Sequence, residues 1–333
     1  MLTLPEYGLH PLGIDVLPSP TTTHVGSITD RSFIISLFQQ YPIRHVLHCA
    51  TLHKPHVATH TKQQFIDTNV TGSLVLLEAA AEVSTATAGV KAPDRESSTG
   101  LDSFIFFSTT STFGAALSPC PGSPAAWIAE SVTPIPKNIY GVTKVAVEDL
   151  CRLIHMQTSL PVIVLKTSRF FPEEDDDAER AASMSGDNLK VLELAYRRVD
   201  IRDIVSATVC AMRKAREIAW GKYIISAPPP VENDEETLRE LERDPGKVLK
   251  RVLGNELAEK VFDGENDGGE KGKGWKFLDR IDRVYDSSKA VRELGWEPKF
   301  TFRSAVEAMA RGNEWRSELT FKIGSKGYHR SAS

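Results

Sequence analysis

Short apolar runs alternate with stretches of helical periodicity along most of the chain. Five apolar runs predict strands, at residues 12–14, 45–48, 103–108, 162–165 and 223–225. Apolar residues spaced every three or four positions predict helices through Phe33 and Leu37, over residues 61–83, from Tyr140 onwards and over residues 203–215. Such alternation favours an α/β fold, with a doubly wound and mainly parallel sheet covered by helices on both faces. Ligands of these sheets bind beyond the carboxyl ends of the strands.

Three segments lack an apolar period, which predicts loops at residues 84–101, 262–274 and 324–333. The acidic run from Glu173 to Asp177 predicts a solvated loop, although its place after a strand leaves a substrate-gating role open. Nearer the C-terminus, the stretches around residues 235–242 and 248–261 predict helices, and we expect them to cap the cleft.

The helix that follows the strand at residues 103–108 opens with Tyr140-Gly141-Val142-Thr143-Lys144. Positions i and i+4 share a helical face, so we expect the phenol of Tyr140 to lie near the ammonium of Lys144. The ammonium is expected to lower the pKa of the phenol from its reference near ~10, because it stabilises the phenolate. A phenolate that forms near neutral pH is a base for proton abstraction from an alcohol.

A second Tyr-x-x-x-Lys stretch runs from Tyr285 to Lys289. It contains Asp286-Ser287-Ser288, which predicts a helix start with a Ser cap and surface side chains rather than a site. The first copy differs because it follows an apolar strand and because Val147 and Cys151 continue the apolar face of its helix. We therefore expect only the first copy to project from a packed, rigid element.

Composition and charge exclude several classes of protein. The 333 residues are 41% hydrophobic, enough for a sizeable core, and the formal net charge of −4 gives no electrostatic case for binding nucleic acid or an anionic membrane. The sequence opens without a basic and apolar leader, and no stretch is long enough to span a bilayer, so a cytoplasmic protein is expected. The four cysteines have no metal spacing and predict reduced thiols: Cys49, Cys120, Cys151 and Cys210.

Five motifs occur in order between Leu12 and Met309. They are Ile14-Asp15, the run from Val46 to Thr51, the run from Asn69 to Ser73, the Ser/Thr-rich run from Phe107 to Gly114, and Asp286 to Ala290 with Glu293 to Pro298. Together with Tyr140 and Lys144, they resemble the extended short-chain dehydrogenase/reductase superfamily, and specifically its NAD-dependent epimerase/dehydratase family. The resemblance implies a Rossmann-like NAD-binding fold with a smaller C-terminal substrate domain, and a small-molecule substrate.

The resemblance also implies roles for single residues. Tyr140 would take the proton of a substrate hydroxyl, Lys144 would hold the cofactor ribose, and Thr109 would hydrogen-bond the reacting oxygen. The implied cofactor contacts are Asp15, Ser27, Ile28, Cys49, Ala50, Thr51, Asn69 and Lys144. The implied substrate contacts are Ser108, Thr110, Arg169 and Phe171. Return of the hydride to a keto intermediate would make an epimerase and release of that intermediate a dehydrogenase, and the sequence does not distinguish the two.

The carboxylate of Asp15 favours NAD over NADP. It would accept hydrogen bonds from the ribose hydroxyls but repel a 2′-phosphate, and Val16 and Leu17 supply no cation to hold one. The alternative is that Asp15 only begins the turn at Leu17-Pro18-Ser19-Pro20. A dehydratase is not favoured, because dehydratases of the family carry an Asp-Glu pair where this chain has Thr110-Ser111.

The largest departure from the family is the absence of the phosphate-binding turn with which family members begin. The sequence has no GxxGxxG spacing, and the 11 residues before Leu12 are fewer than the strand, turn and helix of a βαβ unit of roughly 30 residues. In the strand order 3-2-1-4-5-6 the missing strand is central, so its neighbours would keep unpaired backbone groups at a cost of about 1–3 kcal/mol each. We therefore expect a truncated sequence whose product binds NAD poorly or does not fold.

Smaller departures weaken the assignment of a substrate. Ser27 stands where many relatives have an Asp near the adenine, and Arg169 stands where they have an Asn. The Arg169 guanidinium could pair with a diphosphate or carboxylate of a substrate, or equally with Glu173 or Glu174. Sugar-nucleotide specificity is therefore an analogy only. By the same analogy a homodimer through the tyrosine helix is possible, although the residues alone do not show it.

A group of histidines follows the strand at residues 45–48. His53, His56 and His60 would share a helical face near Cys49, which is a pattern that can bind a metal. We expect no metal, because Pro55 interrupts the run and no carboxylates accompany it.

The predicted domains are an NAD-binding domain of residues 1–167 and 187–226, a substrate domain of residues 168–186 and 227–320, and a tail of residues 321–333. The predicted function is an NAD-dependent oxidoreductase or epimerase that acts on a secondary hydroxyl of a sugar-nucleotide-like substrate. The alternative is a catalytically impaired or non-catalytic binding or regulatory protein of the same family, because the phosphate-binding glycines are absent.

Overall fold

A computed structural model describes residues 1–88, 100–171, 184–263 and 275–324. Its strands are β1 (Ile14–Asp15), β2 (His24–Val25), β3 (His45–His48), β4 (Ser103–Thr109), β5 (Ala126–Ile128), β6 (Val162–Thr167), β7 (Arg169–Phe170), β8 (Arg198–Val199), β9 (Trp220–Ile225) and β10 (Arg283–Tyr285). Its α-helices are α1 (Arg31–Gln40), α2 (Lys62–Phe65), α3 (Gly72–Ala88), α4 (Ile139–Thr158), α5 (Gly186–Glu193), α6 (Ile201–Ile218), α7 (Glu235–Arg243), α8 (Pro245–Leu253), α9 (Asn255–Ala258), α10 (Ser288–Leu294), α11 (Phe302–Ala310) and α12 (Glu318–Ile323). Single π-helical turns cover Ile66–Thr71 and Glu259–Asp263.

The strands and helices predicted from the apolar pattern are present, with ends that differ by a few residues. The predicted loop at residues 84–101 is wrong at its start, because α3 continues to Ala88 through a stretch rich in alanine, the strongest helix former. Residues 89–99 of that predicted loop, residues 264–274, residues 325–333 and the acidic run at 173–177 lie outside the described residues. The predicted loop at residues 262–274 is also wrong at residues 262 and 263, which belong to the π-helical turn Glu259–Asp263.

The predicted serine cap on α10 is also wrong in detail. Ser287 occupies the N-cap position but makes no side-chain capping hydrogen bond. The preceding carboxylate takes over part of this role, since Asp286 Oδ1 accepts a hydrogen bond from the Ser288 backbone N–H at 2.8 Å. The predicted start of the helix is therefore confirmed, but the backbone N–H at that start is bound by the Asp286 side chain instead of a serine.

A four-stranded sheet has the order β3-β4-β6-β9. β3 pairs with β4 in parallel, and β4 lies between β3 and β6, so its residues Phe104, Ile105 and Phe106 are almost completely buried. Parallel two-stranded pairs also form between β1 and β2, β5 and β10, and β7 and β8. Among the described residues, β1 and β2 form a sheet separate from that of β3. A missing strand between them stays a prediction.

The chain divides into two compact units, with residues 1–112, 136–165 and 208–222 in the first. Its core contains Phe104 and Phe106 from the sheet together with Leu77 of α3 and Val147 and Cys151 of α4. The second unit comprises residues 113–135, 166–207 and 223–333, and its core includes Phe171, Phe302 and Trp315. These boundaries differ from those of the predicted domains, which stay a prediction.

Candidate active site

The first turns of α4 hold Tyr140 and Lys144 in fixed positions. Asn138 caps the helix, because its Oδ1 accepts a hydrogen bond from the Gly141 backbone N–H at 2.9 Å. Gly141 lets this turn pack closely, since an added Cβ would lie 3.0 Å from Cβ of Pro136. Tyr140 is only 4% exposed and Lys144 only 3%. Both side chains therefore point inward from a packed helix, as the apolar face of α4 indicates.

Tyr140 meets the end of strand β4. Its phenol lies beside the side chain of Thr109, the last residue of that strand. Burial raises the pKa of Tyr140, and the neighbouring Thr109 hydroxyl offsets this only in part. The expectation that Lys144 lowers the pKa of this phenol is therefore wrong for this structure, and Tyr140 holds its proton at neutral pH.

Lys144 turns towards the sheet instead of the phenol oxygen. Its Nζ donates a hydrogen bond to the carbonyl oxygen of Phe107 at 2.9 Å and lies 4.7 Å from the ring centroid of Phe106. The same Nζ is 5.9 Å from the ring centroid of Tyr140. Burial lowers the pKa of Lys144 to about 8, and nearby Cys49 and Glu148 act in the opposite direction. Because its pKa is about 8, Lys144 carries a positive charge at neutral pH and loses its proton slightly above it.

The other residues at the end of β4 have structural contacts of their own. Ser108, predicted to contact substrate, is buried and donates a hydrogen bond to Glu148 Oε1 at 2.5 Å. Thr110 is also buried. Thr109 Oγ1 accepts a hydrogen bond from the Ser111 backbone N–H at 3.1 Å, which fixes its hydroxyl beside Tyr140. Of this cluster, Thr109 is the residue that the structure brings to the phenol.

The loop after β3 carries the predicted cofactor contacts Cys49, Ala50 and Thr51. Cys49 and Ala50 are exposed, and Thr51 is half-buried. Asn69, on the π-helical turn, receives a hydrogen bond at Oδ1 from the Leu52 backbone N–H at 2.6 Å. Its Nδ2 donates to the Leu52 carbonyl at 3.1 Å and to Thr143 Oγ1 at 3.0 Å. The amide of Asn69 therefore fastens this loop to α4.

The residues predicted to contact adenosine lie after β1 and β2. Asp15 is exposed, and its Oδ1 accepts a hydrogen bond from the Leu17 backbone N–H at 2.9 Å. Ser27 is half-buried and Ile28 is buried. Because β1 and β2 are parallel, these residues follow the same edge of their sheet. Asp15 thus begins a turn, as the alternative interpretation has it, and still presents a carboxylate to solvent.

The histidines after β3 have different surroundings. His48 is buried, with Nε2 2.6 Å from Ser73 Oγ, and burial lowers its pKa to about 3, so the imidazole is neutral. His53 stacks on the ring of Tyr140, whereas His56 and His60 contact each other edge to face. In the described ranges, no three or more His, Cys, Asp or Glu side chains are grouped to hold a metal ion.

Two predicted substrate contacts belong to the second unit. Phe171 is completely buried and packs edge-on against Trp315, with ring centroids 4.9 Å apart. Arg169 of β7 is half-buried and lies opposite Arg198 of β8 in the parallel register. A substrate role for either residue stays a prediction.

The second Tyr-x-x-x-Lys stretch does not form a helical pair, and the prediction of surface side chains is wrong for Tyr285, which is only 5% exposed. Tyr285 ends strand β10, whereas Lys289 lies on α10. Lys289 Nζ lies 4.6 Å from the ring centroid of Tyr223 instead. The same spacing therefore has a different geometry because the helix starts between the two residues.

The roles of Glu148 and Thr143, and the contact between His53 and Tyr140, were not predicted from the sequence. Glu148 is completely buried one turn after Lys144, and it accepts hydrogen bonds from Ser108 and from Lys222 Nζ at 3.0 Å. The position of Glu148 on the apolar face of α4 was a signal in the sequence. A buried charge requires partners, so this position could have indicated that Glu148 contacts polar side chains. No pattern in the sequence indicates that His53 contacts Tyr140.

Comparison with known proteins agrees with this fold. A model of the NAD dependent epimerase/dehydratase family matches residues 6–225, so the chain belongs to that family. Membership gives the class, an NAD-dependent enzyme of the epimerase/dehydratase type, and NAD as the cofactor of that class. The predicted family and the predicted fold class are thereby confirmed.

A curated relative is the UDP-glucose 4-epimerase of Erwinia amylovora, which is 30% identical over 140 residues. The matched stretch is 42% of this chain and 35% of that protein, so it spans about a third of the length of the relative.

Solved structures share the fold at low sequence identity. A UDP-glucose 4-epimerase from Thermotoga maritima, solved with UDP-glucose, has a TM-score of 0.55 and 21% identity, and the match covers 93% of this chain and 94% of that one. A UDP-glucuronic acid 4-epimerase from Bacillus cereus, solved with UDP-glucuronic acid and NAD, has a TM-score of 0.54 and 19% identity over 97% of this chain and 94% of that one. Among the described residues, no helix is long and apolar enough to cross a membrane.

Proposed function

We propose that this chain is an NAD-dependent oxidoreductase or epimerase that acts on a secondary hydroxyl of a sugar-nucleotide-like substrate. The observation that carries the proposal is the buried Tyr140 phenol beside Thr109 at the end of β4, with Lys144 one helical turn further on. Ligands of parallel sheets bind at such strand ends. The substrate class is suggested by the UDP-sugars held by the solved neighbours.

The residues divide the chemistry between them. Tyr140 exchanges a proton with the substrate hydroxyl, and Thr109 hydrogen-bonds the reacting oxygen and keeps it near the phenol. NAD, when bound, accepts and returns hydride, and the positive charge of its oxidised ring favours the phenolate. Lys144 supplies a second positive charge, held by Phe107 and ready to turn towards a ribose hydroxyl.

The residues present fit NAD at its two ends. The exposed carboxylate of Asp15 suits the hydroxyls of the adenosine ribose, and exposed Cys49 and Ala50 leave the backbone after β3 open to a ligand. The diphosphate has no glycine-rich turn to bind it in the sequence. NAD binding by this chain is therefore the first property to measure.

The chain offers its own control for a test of the catalytic tyrosine. Tyr140→Phe removes the proton-transferring hydroxyl, whereas Tyr285→Phe removes the hydroxyl of the second, non-helical copy. With UDP-glucose or UDP-glucuronic acid as probe, we expect Tyr140→Phe to lose turnover by about 100-fold or more and Tyr285→Phe to keep it. NAD affinity, measured by calorimetry, should be the same in both variants. Unchanged turnover in Tyr140→Phe would refute the proposed base.

A second candidate function is a binding or regulatory protein of the same family without catalysis. It is favoured by the absence of a phosphate-binding glycine motif from the sequence. Absence of NAD binding in calorimetry, in a chain that unfolds cooperatively, would support this candidate over the enzyme.

A homodimer through α4 is part of the proposal. Val142, Leu153 and Met156 lie on one side of this helix and are 47%, 46% and 70% exposed. A second copy of the chain would cover this apolar row. Light scattering coupled to size exclusion should give a dimer for the wild type and a monomer for Leu153→Glu, and a monomeric wild type would refute the dimer.

A further inference from the structure

The imidazole of His53 lies flat against the ring of Tyr140. The two ring centroids are 5.5 Å apart, and the ring planes differ by 23°. His53 follows strand β3, whereas Tyr140 belongs to the first turn of α4. Tertiary packing therefore brings a second aromatic group onto the proposed catalytic phenol, which lies beside Thr109.

The backbone beside His53 is fastened to the helix that carries Tyr140. Both polar groups of the Leu52 backbone are hydrogen-bonded to the side-chain amide of Asn69. That amide also donates to Thr143 Oγ1, and Thr143 Oγ1 donates to the carbonyl oxygen of Tyr140 at 2.9 Å. A continuous set of hydrogen bonds thus connects the residue before His53 to the backbone of Tyr140.

The other side of His53 is fixed as well. Its backbone N–H donates a hydrogen bond to His56 Nδ1 at 2.8 Å, and a 3₁₀ turn of Lys54–Ala58 begins directly after it. The position of the His53 side chain is thus defined by contacts on both sides of its own peptide unit. The stack is a property of an ordered loop, although the His53 residue as a whole is exposed.

We propose that His53 is a positioning residue for Tyr140. Its ring face fixes the plane of the phenol, so the hydroxyl stays beside Thr109 and within reach of a substrate oxygen. Lys144 does not serve this purpose, because its Nζ is engaged by the Phe107 carbonyl. The role belongs to the flat face of the imidazole and requires no proton transfer by His53. The inference rests on the proposed function of Tyr140.

Kinetics of two substitutions test the role. His53→Ala removes the stacked face, and His53→Phe restores it without a titrating group. We expect His53→Ala to lower kcat by about 10- to 100-fold with the KM for substrate unchanged, since a misplaced reacting group reduces the rate of the chemical step. His53→Phe should return most of the loss. His10→Ala, at an exposed histidine, is the matched control and should keep the wild-type rate.

A measurement without turnover separates this inference from the proposed function. The ring resonances of Tyr140, assigned by their loss in Tyr140→Phe, should shift in His53→Ala and return towards their wild-type positions in His53→Phe, with equal melting temperatures. If they shift but no variant turns over, the stack is supported and the proposed enzyme is refuted. If they do not respond to His53→Ala, or if His53→Phe is as slow as His53→Ala, the positioning role is overturned.

Discussion

A buried ion pair beneath the site gives a sharp test of the structure that needs no substrate. Glu148 is 0% exposed, and its carboxylate accepts a hydrogen bond from Ser108 at 2.5 Å and one from Lys222 Nζ at 3.0 Å. The Lys222 side chain is 29% exposed. The two partners therefore differ in burial, and so should the consequences of removing either one.

The expected magnitudes follow from what each substitution leaves behind. Lys222→Met leaves a fully buried carboxylate without the ammonium that contacts it, and losing one partner of a buried pair costs about 3–5 kcal/mol. Glu148→Gln keeps the shape and an acceptor for Ser108, and the ammonium of Lys222 can turn to water. Glu148→Gln should therefore lower the free energy of unfolding by at most about 2 kcal/mol, which is close to the contribution of one hydrogen bond to a charged group.

Urea unfolding of the two variants, followed by circular dichroism, measures this difference from the midpoints at a common slope. We expect the free energy of unfolding to fall more in Lys222→Met than in Glu148→Gln. The reverse order would show that the carboxylate does not need the ammonium. A change within about 0.5 kcal/mol in both variants, as for an ordinary surface substitution, would refute the buried pair itself.

Three further predictions concern other described contacts. Asn69→Ala should cost about 1–3 kcal/mol, because it leaves the buried partners of its amide unpaired, and hydrogen exchange should show lost protection at the Leu52 amide. Arg31→Ala should cost less than about 1 kcal/mol by urea unfolding, since its ion pairs with Glu78 and Glu82 are exposed to solvent. Burial raises the pKa of Asp203 to about 6 from 3.8, so its contribution to stability is complete below pH 3.8 and is lost as the pH rises through about 6. Asp203→Asn should therefore flatten the change of the urea midpoint between pH 4 and 6, and an unchanged pH profile would contradict this assignment.

Much of the first unit could be predicted because its signals are local. The apolar run at residues 103–108 is continuous, as in a strand that is buried on both faces, and the inward row of Val147 and Cys151 follows the 3.6-residue period of a helix. Both became core elements. Tyr140 and Lys144 share a helical face for the same reason. The stretch from Tyr285 to Lys289 has the identical spacing but begins in a strand, so its two residues share no helical face.

The direction of the Lys144 side chain could not be predicted. Helical spacing places its Cα near that of Tyr140, but the partner of its Nζ depends on which carbonyl of β4 lies beneath the helix. Burial also outweighs the other effects on the phenol, so the pKa of Tyr140 rises where the sequence suggested a fall. Burial is a property of the packed unit rather than of any short stretch.

The sequence by itself determined five of the ten strands in the described residues and the helices between them, the inward face of α4 and the family to which the chain belongs. These depend on residue spacing and on motifs that are continuous along the chain. Only the tertiary structure decided that Ser108 binds Glu148, that Asn69 fastens the Leu52 loop and that His53 lies on Tyr140. Each of these contacts joins residues far apart in sequence, and their side chains gain a fixed partner only when packing removes the water that would otherwise satisfy them.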